Sequence, residues 1–306
     1  MYTPLQTNSI LEINNLSKRF REIRAVDDLS LTVLRKDIYG FIGPNGSGKS
    51  TTIRMILTLI KPDHGQIRVF GLPLNSHRKK ILVNVGSFIE KPDFYEYLSA
   101  YKNMEILSIY SGIKADKRNI LELLDMVGLK DRSNSSVKTF SKGMKQRLGI
   151  AQALLHDPEL LILDEPSSGL DPSGTRDMRD LIRMLNEEKG KTIILSSHNL
   201  GEIEMIANRM VIIKKGKKVI EGDVKTLLKQ HSYLTNFIVD NAGKAAKILQ
   251  QSALKIEHLK HLDVLLQIQC TRNEIPEINS FLVTNGIRVE SIKVEQNLED
   301  YFLNMT

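Results

Sequence analysis

The sequence predicts an α/β fold: a largely parallel sheet covered by helices through residue 224, then a small ferredoxin-like α+β domain over residues 225–306. Three observations carry this reading. Short apolar runs alternate with longer amphipathic segments from residue 10 to about residue 223, the rhythm of strand–helix–strand units. Several of those runs are apolar throughout and bounded by polar or turn residues, as strands buried on both faces are. After Gly222-Asp223 the rhythm changes to β-α-β-β-α-β, the order of a split-βαβ sandwich.

Taken in order, residues 29–33 and 38–42 read as strands, and residues 51–60 as a helix. The turn cluster Lys61-Pro62-Asp63-His64-Gly65 stops that helix. Residues 160–163 and 192–196 are buried-strand candidates, with helical periodicity over 178–188 between them. In the second domain, residues 233–239 alternate as a strand and 242–251 as a short helix. Residues 253–258 and 264–268 make a strand pair, 274–284 a helix ended by Asn285-Gly286, and 287–294 a last strand.

Composition bounds the class. Hydrophobic residues make up 41% of the chain and charged residues 26%, ordinary for a globular protein with a full core. No run approaches the roughly 18 apolar residues of a membrane-spanning helix, and residues 1–10 have neither the basic start nor the apolar middle of a signal peptide. The single cysteine, Cys270, has no partner in the chain, which fits a reducing compartment. Residues 225–306 carry nine of the 43 Lys+Arg and nine of the 36 Asp+Glu, so the whole excess of +7 lies before residue 225. Such an excess suits phosphates, nucleic acid or an anionic leaflet, and equally a solvated surface.

Gly43-Pro44-Asn45-Gly46-Ser47-Gly48-Lys49-Ser50 matches G-x-x-x-x-G-K-[ST] between a predicted strand and a predicted helix. The glycines let backbone N–H groups crowd a phosphate, and the helix N-terminus directs its positive dipole end at the anion. Lys49 reaches the β- and γ-phosphates of a nucleotide such as ATP, and the Ser50 hydroxyl ligates Mg²⁺; Thr51, next on the helix, completes the binding stretch. Downstream, the apolar run 160–163 ends in Asp164-Glu165-Pro166. At the carboxyl end of a sheet strand, Asp164 is placed to hold the metal shell and Glu165 to orient or deprotonate an attacking water. A helix cap with a surface acid is the alternative for the pair taken alone.

Between these motifs, Thr139-Phe140-Ser141-Lys142-Gly143-Met144-Lys145-Gln146-Arg147-Leu148 resembles the signature segment of ABC transporter ATPases, usually written Leu-Ser-Gly-Gly-Gln. Ser168-Gly169-Leu170-Asp171 looks like that family's D-loop, and His198 like its switch histidine. Phe20 fits its adenine-stacking aromatic, and fits equally a strand edge. The resemblance covers essentially the whole chain. It implies a P-loop ABC ATPase domain in which Ser141 and Gly143 act toward the nucleotide of an opposite subunit and Asp171 of the D-loop is a further nucleotide-binding residue, while Lys49, Glu165 and His198 serve catalysis. Residues 225–306, with Asn297-Leu298-Glu299-Asp300-Tyr301-Phe302-Leu303, look like the C-terminal extension of bacitracin-resistance and lantibiotic-immunity ATPases.

Two departures from the pattern stand out. Lys142 and Met144 replace the usual glycine and glutamine of the signature, and Glu90 stands in the place of the Q-loop glutamine, with no glutamine between Gln66 and Gln146. Glu90 there resembles the same exporter subgroup; a carboxylate still ligates Mg²⁺ and binds near the nucleotide, and the alternative is a surface acid. The resemblance implies a dimer with a second copy or a paralogous ATPase. It also implies multi-span permease subunits at the cytoplasmic face of the membrane, with Phe94, Tyr95 and Tyr97 as candidate docking residues. The expected function is ATP-driven export of a peptide antibiotic, lantibiotic or drug. The competing expectation is a soluble ABC-type ATPase acting on ribosomes or nucleic acid. The single phosphate loop and the charge-neutral second domain speak against it, so no nucleic-acid partner is expected.

Overall fold

The computed structural model describes residues 8–295 apart from 90–92, 114–115, 230–231, 253, 255 and 272. Glu90 and the motif at 297–303 lie outside the described residues. The chain divides into two units, residues 1–221 and 222–306.

The first unit opens with strand β1 (Ser9–Phe20) folded onto β2 (Ile23–Leu34), paired from Ser9↔Leu34 to Phe20↔Ile23. Leu11, Ile13, Leu29, Leu31 and Val33 alternate onto the buried face, the period-two pattern that sets register. Strand β3 (Ile38–Ile42) is buried at every position, as its apolar sequence requires of a central strand. Helix α1 (Lys49–Ile56) follows. It stops short of the expected residue 60 because Thr58 turns left-handed, φ +60, and the Leu59 and Ile60 N–H groups both close on the Arg54 carbonyl, a local C-terminal cap. Strands β4 (His64–Val69) and β5 (Leu72–Pro73) complete a four-stranded sheet in the order β2-β1-β4-β5.

Next come α2 (Leu74–Leu82), β6 (Val85–Phe88), α3 (Ala100–Tyr110), α4 (Lys117–Met126) and α5 (Lys142–Ala153). They lead to β7 (Leu160–Asp164), α6 (Pro172–Glu187), β8 (Thr192–Ser197), α7 (Leu200–Ile206), β9 (Arg209–Lys214) and β10 (Lys217–Asp223). Helix α6 begins six residues before the expected 178. Its start is set by Asp171, whose side chain accepts from the Gly174 N–H at 3.0 Å, and by Pro172 in the first turn, and caps leave no trace in apolar periodicity. The second sheet runs β10-β9-β3-β8-β7-β6, and the pairs β9–β3, β3–β8, β8–β7 and β7–β6 are parallel. Each fully buried Leu or Ile of this layer contributes about 1.5–3 kcal/mol, and β7 and β8 supply seven such residues between them.

In the second unit, α8 (Val224–Lys229) precedes β11 (Ser232–Val239), α9 (Ala242–Gln250), β12 (Glu257–Leu262), β13 (Leu265–Thr271), α10 (Glu274–Thr284) and β14 (Val289–Glu295). The sheet is antiparallel in the order β12-β13-β11-β14, a split βαβ arrangement. Phe237, Val239, Leu266 and Ile268 pack against Ala245, Leu249, Ile278 and Leu282. Strand β12 sits four residues later than the expected 253–258. A tight turn with Asp263 at φ +48 pairs Leu262 with Leu265 and so fixes its register.

Candidate active site

Three parallel strands end side by side. β3 runs into residues 43–48, β7 ends at Asp164, and β8 ends at Ser197, with Ile42↔Ser197 and Asp164↔Ser196 in register. Ligands of open α/β sheets bind at this carboxyl edge.

The loop after β3 is shaped as a cradle. Gly46 sits at φ +80 with open space around it, and Gly48 at φ +108 caps α1, where a Cβ would run into the Ala25 carbonyl. No side chain caps α1, so its first N–H groups, those of Lys49, Ser50 and Thr51, have no intrahelical acceptor. The Ser47 hydroxyl is buried without a partner among the described residues. Orphan donors at a positive helix end fit a phosphate. Lys49 is 5% exposed and donates to the Gly43 carbonyl at 2.5 Å and the Pro44 carbonyl at 3.2 Å. Ala25 and Val26 of β2 wall this loop from outside, and Gly216 links it to β2 through the Ser47 carbonyl and the Asp27 N–H, each at 2.9 Å.

Glu165 lies opposite. Its carboxylate is 3.9 Å from Lys49 Nζ on one oxygen and 3.2 Å from His198 Nδ1 on the other. Its backbone is left-handed, φ +49, a conformation that costs a non-glycine residue about 1–3 kcal/mol and clusters at functional sites. Ser196, fully buried, holds the junction: its hydroxyl accepts from the Glu165 N–H at 2.9 Å and donates to the Asp164 carboxylate. Ser50, Asp164 and Glu165 open on one cleft of about 970 Å³ that Phe88, Phe94 and Gln146 also line.

Sequence reasoning singled out Lys49, Ser50, Asp164, Glu165 and His198, and the structure brings them together here. It missed Ser196, which carries no motif of its own; only the β7–β8 register gives it two partners. Ser141, Gly143 and Asp171 gather elsewhere, in a second cleft of about 360 Å³ with Gly169 and Gly174. Among the described residues no hydrogen bond joins them to Asp164, Glu165 or His198. Ser141 caps α5 by accepting from the Met144 N–H at 3.2 Å. Phe20 ends β1 at the hairpin tip, 44% exposed, with the Lys18 ammonium 5.5 Å from its ring centre. A third feature is an aromatic patch. Tyr97 and Tyr110 are three-quarters exposed, beside Ile109 and Tyr95, and a hydrogen bond with Tyr110 raises the Tyr95 phenol above its ordinary range. Phe94 lines the main cleft instead.

Residues 26–168 match the sequence model of the family described as ABC transporter. Over 299 residues the chain is 42% identical to the bacitracin transport ATP-binding protein BcrA of Bacillus licheniformis, covering 97% of each protein. The chain belongs to the ABC transporter family. It is an ABC-type ATPase. The lantibiotic transport ATP-binding protein SrtF of Streptococcus pyogenes is 40% identical over 214 residues, 70% of this chain and 91% of that protein. Among solved structures, a dimeric ATP-binding cassette in a post-hydrolysis state with ADP and Pi superposes with a TM-score of 0.63 at 27% identity, over 70% of this chain and 98% of that one. Among the described residues of this ATPase, no helix is long and apolar enough to cross a membrane.

Proposed function

We propose that this ATPase powers a membrane exporter of a peptide antibiotic, lantibiotic or related drug. The observation that carries the chemistry is the convergence of Lys49, Glu165 and His198 at the carboxyl edge of the sheet, against the uncapped start of α1. Residues 43–51 hold the phosphates through backbone N–H groups and Lys49. The ammonium now rests on two carbonyls and a carboxylate, contacts that phosphate oxygens replace with stronger charge-assisted bonds. Glu165 takes the proton of, or orients, the attacking water. His198 fixes that carboxylate through Nδ1 and presents the rest of its ring toward the γ-phosphate.

The donor set fits Mg²⁺. Ser50 and Asp164 offer hard oxygens on one cleft, the kind and number of protein donors with which Mg²⁺ keeps positions for phosphate and water. Bound there, the ion neutralises phosphate charge. Glu90 is a further oxygen donor by its place in the sequence, and Phe20 is the adenine platform.

Ser141, Gly143 and Asp171 stand apart from Glu165 and serve the nucleotide held by a second ATPase subunit, a copy or a paralogue. The exposed Tyr97–Tyr110 patch is the surface offered to a multi-span permease at the cytoplasmic face of the membrane. The substrate class follows the bacitracin and lantibiotic transport names of relatives, one of which matches through the second unit. Residues 225–306 form its accessory domain. Those names do not favour the ribosome or nucleic-acid alternative. The test isolates tagged Glu165→Gln chain from solubilised membranes of its host with ATP present. Stoichiometric recovery of a hydrophobic multi-span protein is expected, whereas recovery with ribosomes or nucleic acid alone overturns the transport reading.

A further inference from the structure

Glu165 is held in its left-handed conformation from two sides, and only one of them is Ser196. On the other side the Glu165 carbonyl accepts the Ser168 N–H at 3.1 Å, and the Ser168 carbonyl accepts Nε2 of Gln146 at 3.2 Å. Gln146 belongs to α5, the helix that Ser141 caps. Its side chain is only 6% exposed, and its Oε1 is buried with no partner among the described residues. Among the described residues, the bond to Ser168 is therefore the single hydrogen bond of this amide. A buried amide with one acceptor left empty is uncommon, and Gln146 lines the same cleft as Asp164 and Ser50.

We propose that Gln146 is a positioning residue for Glu165. It anchors residues 166–168 to α5, and through Ser168 it keeps the Glu165 carbonyl where the strained backbone needs it. Removing the anchor leaves the phosphate loop intact and lets Glu165 drift toward ordinary backbone angles. Helix α5 and the Glu165 backbone are thus joined by two hydrogen bonds through Ser168, so displacement of one is felt by the other. The proposal rests on Glu165 acting in ATP hydrolysis, as read above.

The test uses the full chain and separates binding from turnover. Gln146→Met keeps the length and removes the donor. It should lower kcat about tenfold, as small misplacements of reacting groups do, while the KM for ATP and the ADP affinity by calorimetry stay within about twofold. In a Glu165→Gln background the same change should add less than about twofold, because residues acting as a unit are not additive. Gln146→Glu sets a carboxylate against the Ser168 carbonyl. Relative to the unchanged chain its kcat should recover as pH falls from about 8 to about 6, since protonation restores a donor to a buried carboxyl. An unaltered kcat in Gln146→Met, or a full loss repeated on top of Glu165→Gln, overturns the proposal. Should Gln146→Met fail to fold, the pH profile of Gln146→Glu decides alone, and a flat ratio overturns it. Full turnover by Glu165→Gln itself would instead remove Glu165 from the reaction.

Discussion

Replacing Ser196 with alanine removes one oxygen and breaks two bonds of different kinds. The Glu165 N–H loses its acceptor at 2.9 Å, and the Asp164 carboxylate, 8% exposed, loses a hydroxyl donor. A neutral hydrogen bond nets about 1 kcal/mol and one to a charged group about 1.5–3 kcal/mol, so the gross loss is about 3 kcal/mol. Some of it returns. Freed from Ser196, Glu165 can leave φ +49 and release part of the roughly 1–3 kcal/mol that conformation stores. The net destabilisation expected is about 2 kcal/mol, concentrated at the β7 end. Turnover should suffer more, because relaxation carries the carboxylate away from Lys49 and His198. A misplaced general base costs about a hundredfold in kcat. Amide exchange resolved to the peptide spanning residues 160–170, with steady-state ATPase on the same samples, reads both effects. Protection of that peptide unchanged within about 0.5 kcal/mol, with kcat within threefold, would refute the claim that Ser196 holds this junction.

Three further outcomes are expected. Lys49→Ala should abolish the shift in melting temperature that Mg·ATP produces, worth about 2.7 kcal/mol at a hundredfold excess over Kd; a full shift in the variant would contradict the phosphate-loop geometry. Gly48→Ala and Gly46→Ala share a left-handed backbone but differ in surroundings, since only at Gly48 would a Cβ strike the Ala25 carbonyl. Gly46→Ala should therefore cost about 1 kcal/mol and Gly48→Ala at least twice that, with nucleotide binding lost, and equal melting temperatures would count against the cradle described. Burial raises the Cys270 thiol above its ordinary pKa, so the thiolate is disfavoured in the folded chain. Its reaction with a disulfide reagent should be slow at neutral pH, quicken only as pH rises toward that elevated value, and become immediate in urea; rapid labelling of native protein would show the second unit's core to be open.

The fold was legible where burial dictates the pattern. Residues 38–42 and 160–163 are apolar throughout because they lie between layers, and they are strands β3 and β7. Helices α9 and α10 fall within a residue of their expected bounds. The failures share a cause. The start of α6 depends on the Asp171 cap, the end of α1 on Thr58 turning left-handed, and the place of β12 on the turn at Asp263. Each is a local backbone decision that side-chain periodicity does not record.

The site divides along a different line. Lys49, Ser50, Asp164 and Glu165 were legible because their chemistry dictates residue type and spacing on one stretch of chain: an ammonium and a hydroxyl at a helix start, and two acids at a strand end. Ser196 and Gln146 were not legible. A serine in an apolar strand and a glutamine on a helix are both commonplace, and each gains meaning only from its partner. Ser196 meets Glu165 across 31 residues of sequence and Gln146 meets Ser168 across 22. Both partnerships are created by tertiary packing, the first by sheet register and the second by α5 lying against the loop after Glu165. Groups that touch the nucleotide are constrained by the nucleotide, which is the same for every such ATPase. Groups that hold Glu165 are constrained only by this fold, and any side chain of fitting length with a hydroxyl or amide satisfies the geometry. A strained glutamate backbone held by a buried serine and a buried glutamine is thus the part of the mechanism that structure adds to sequence.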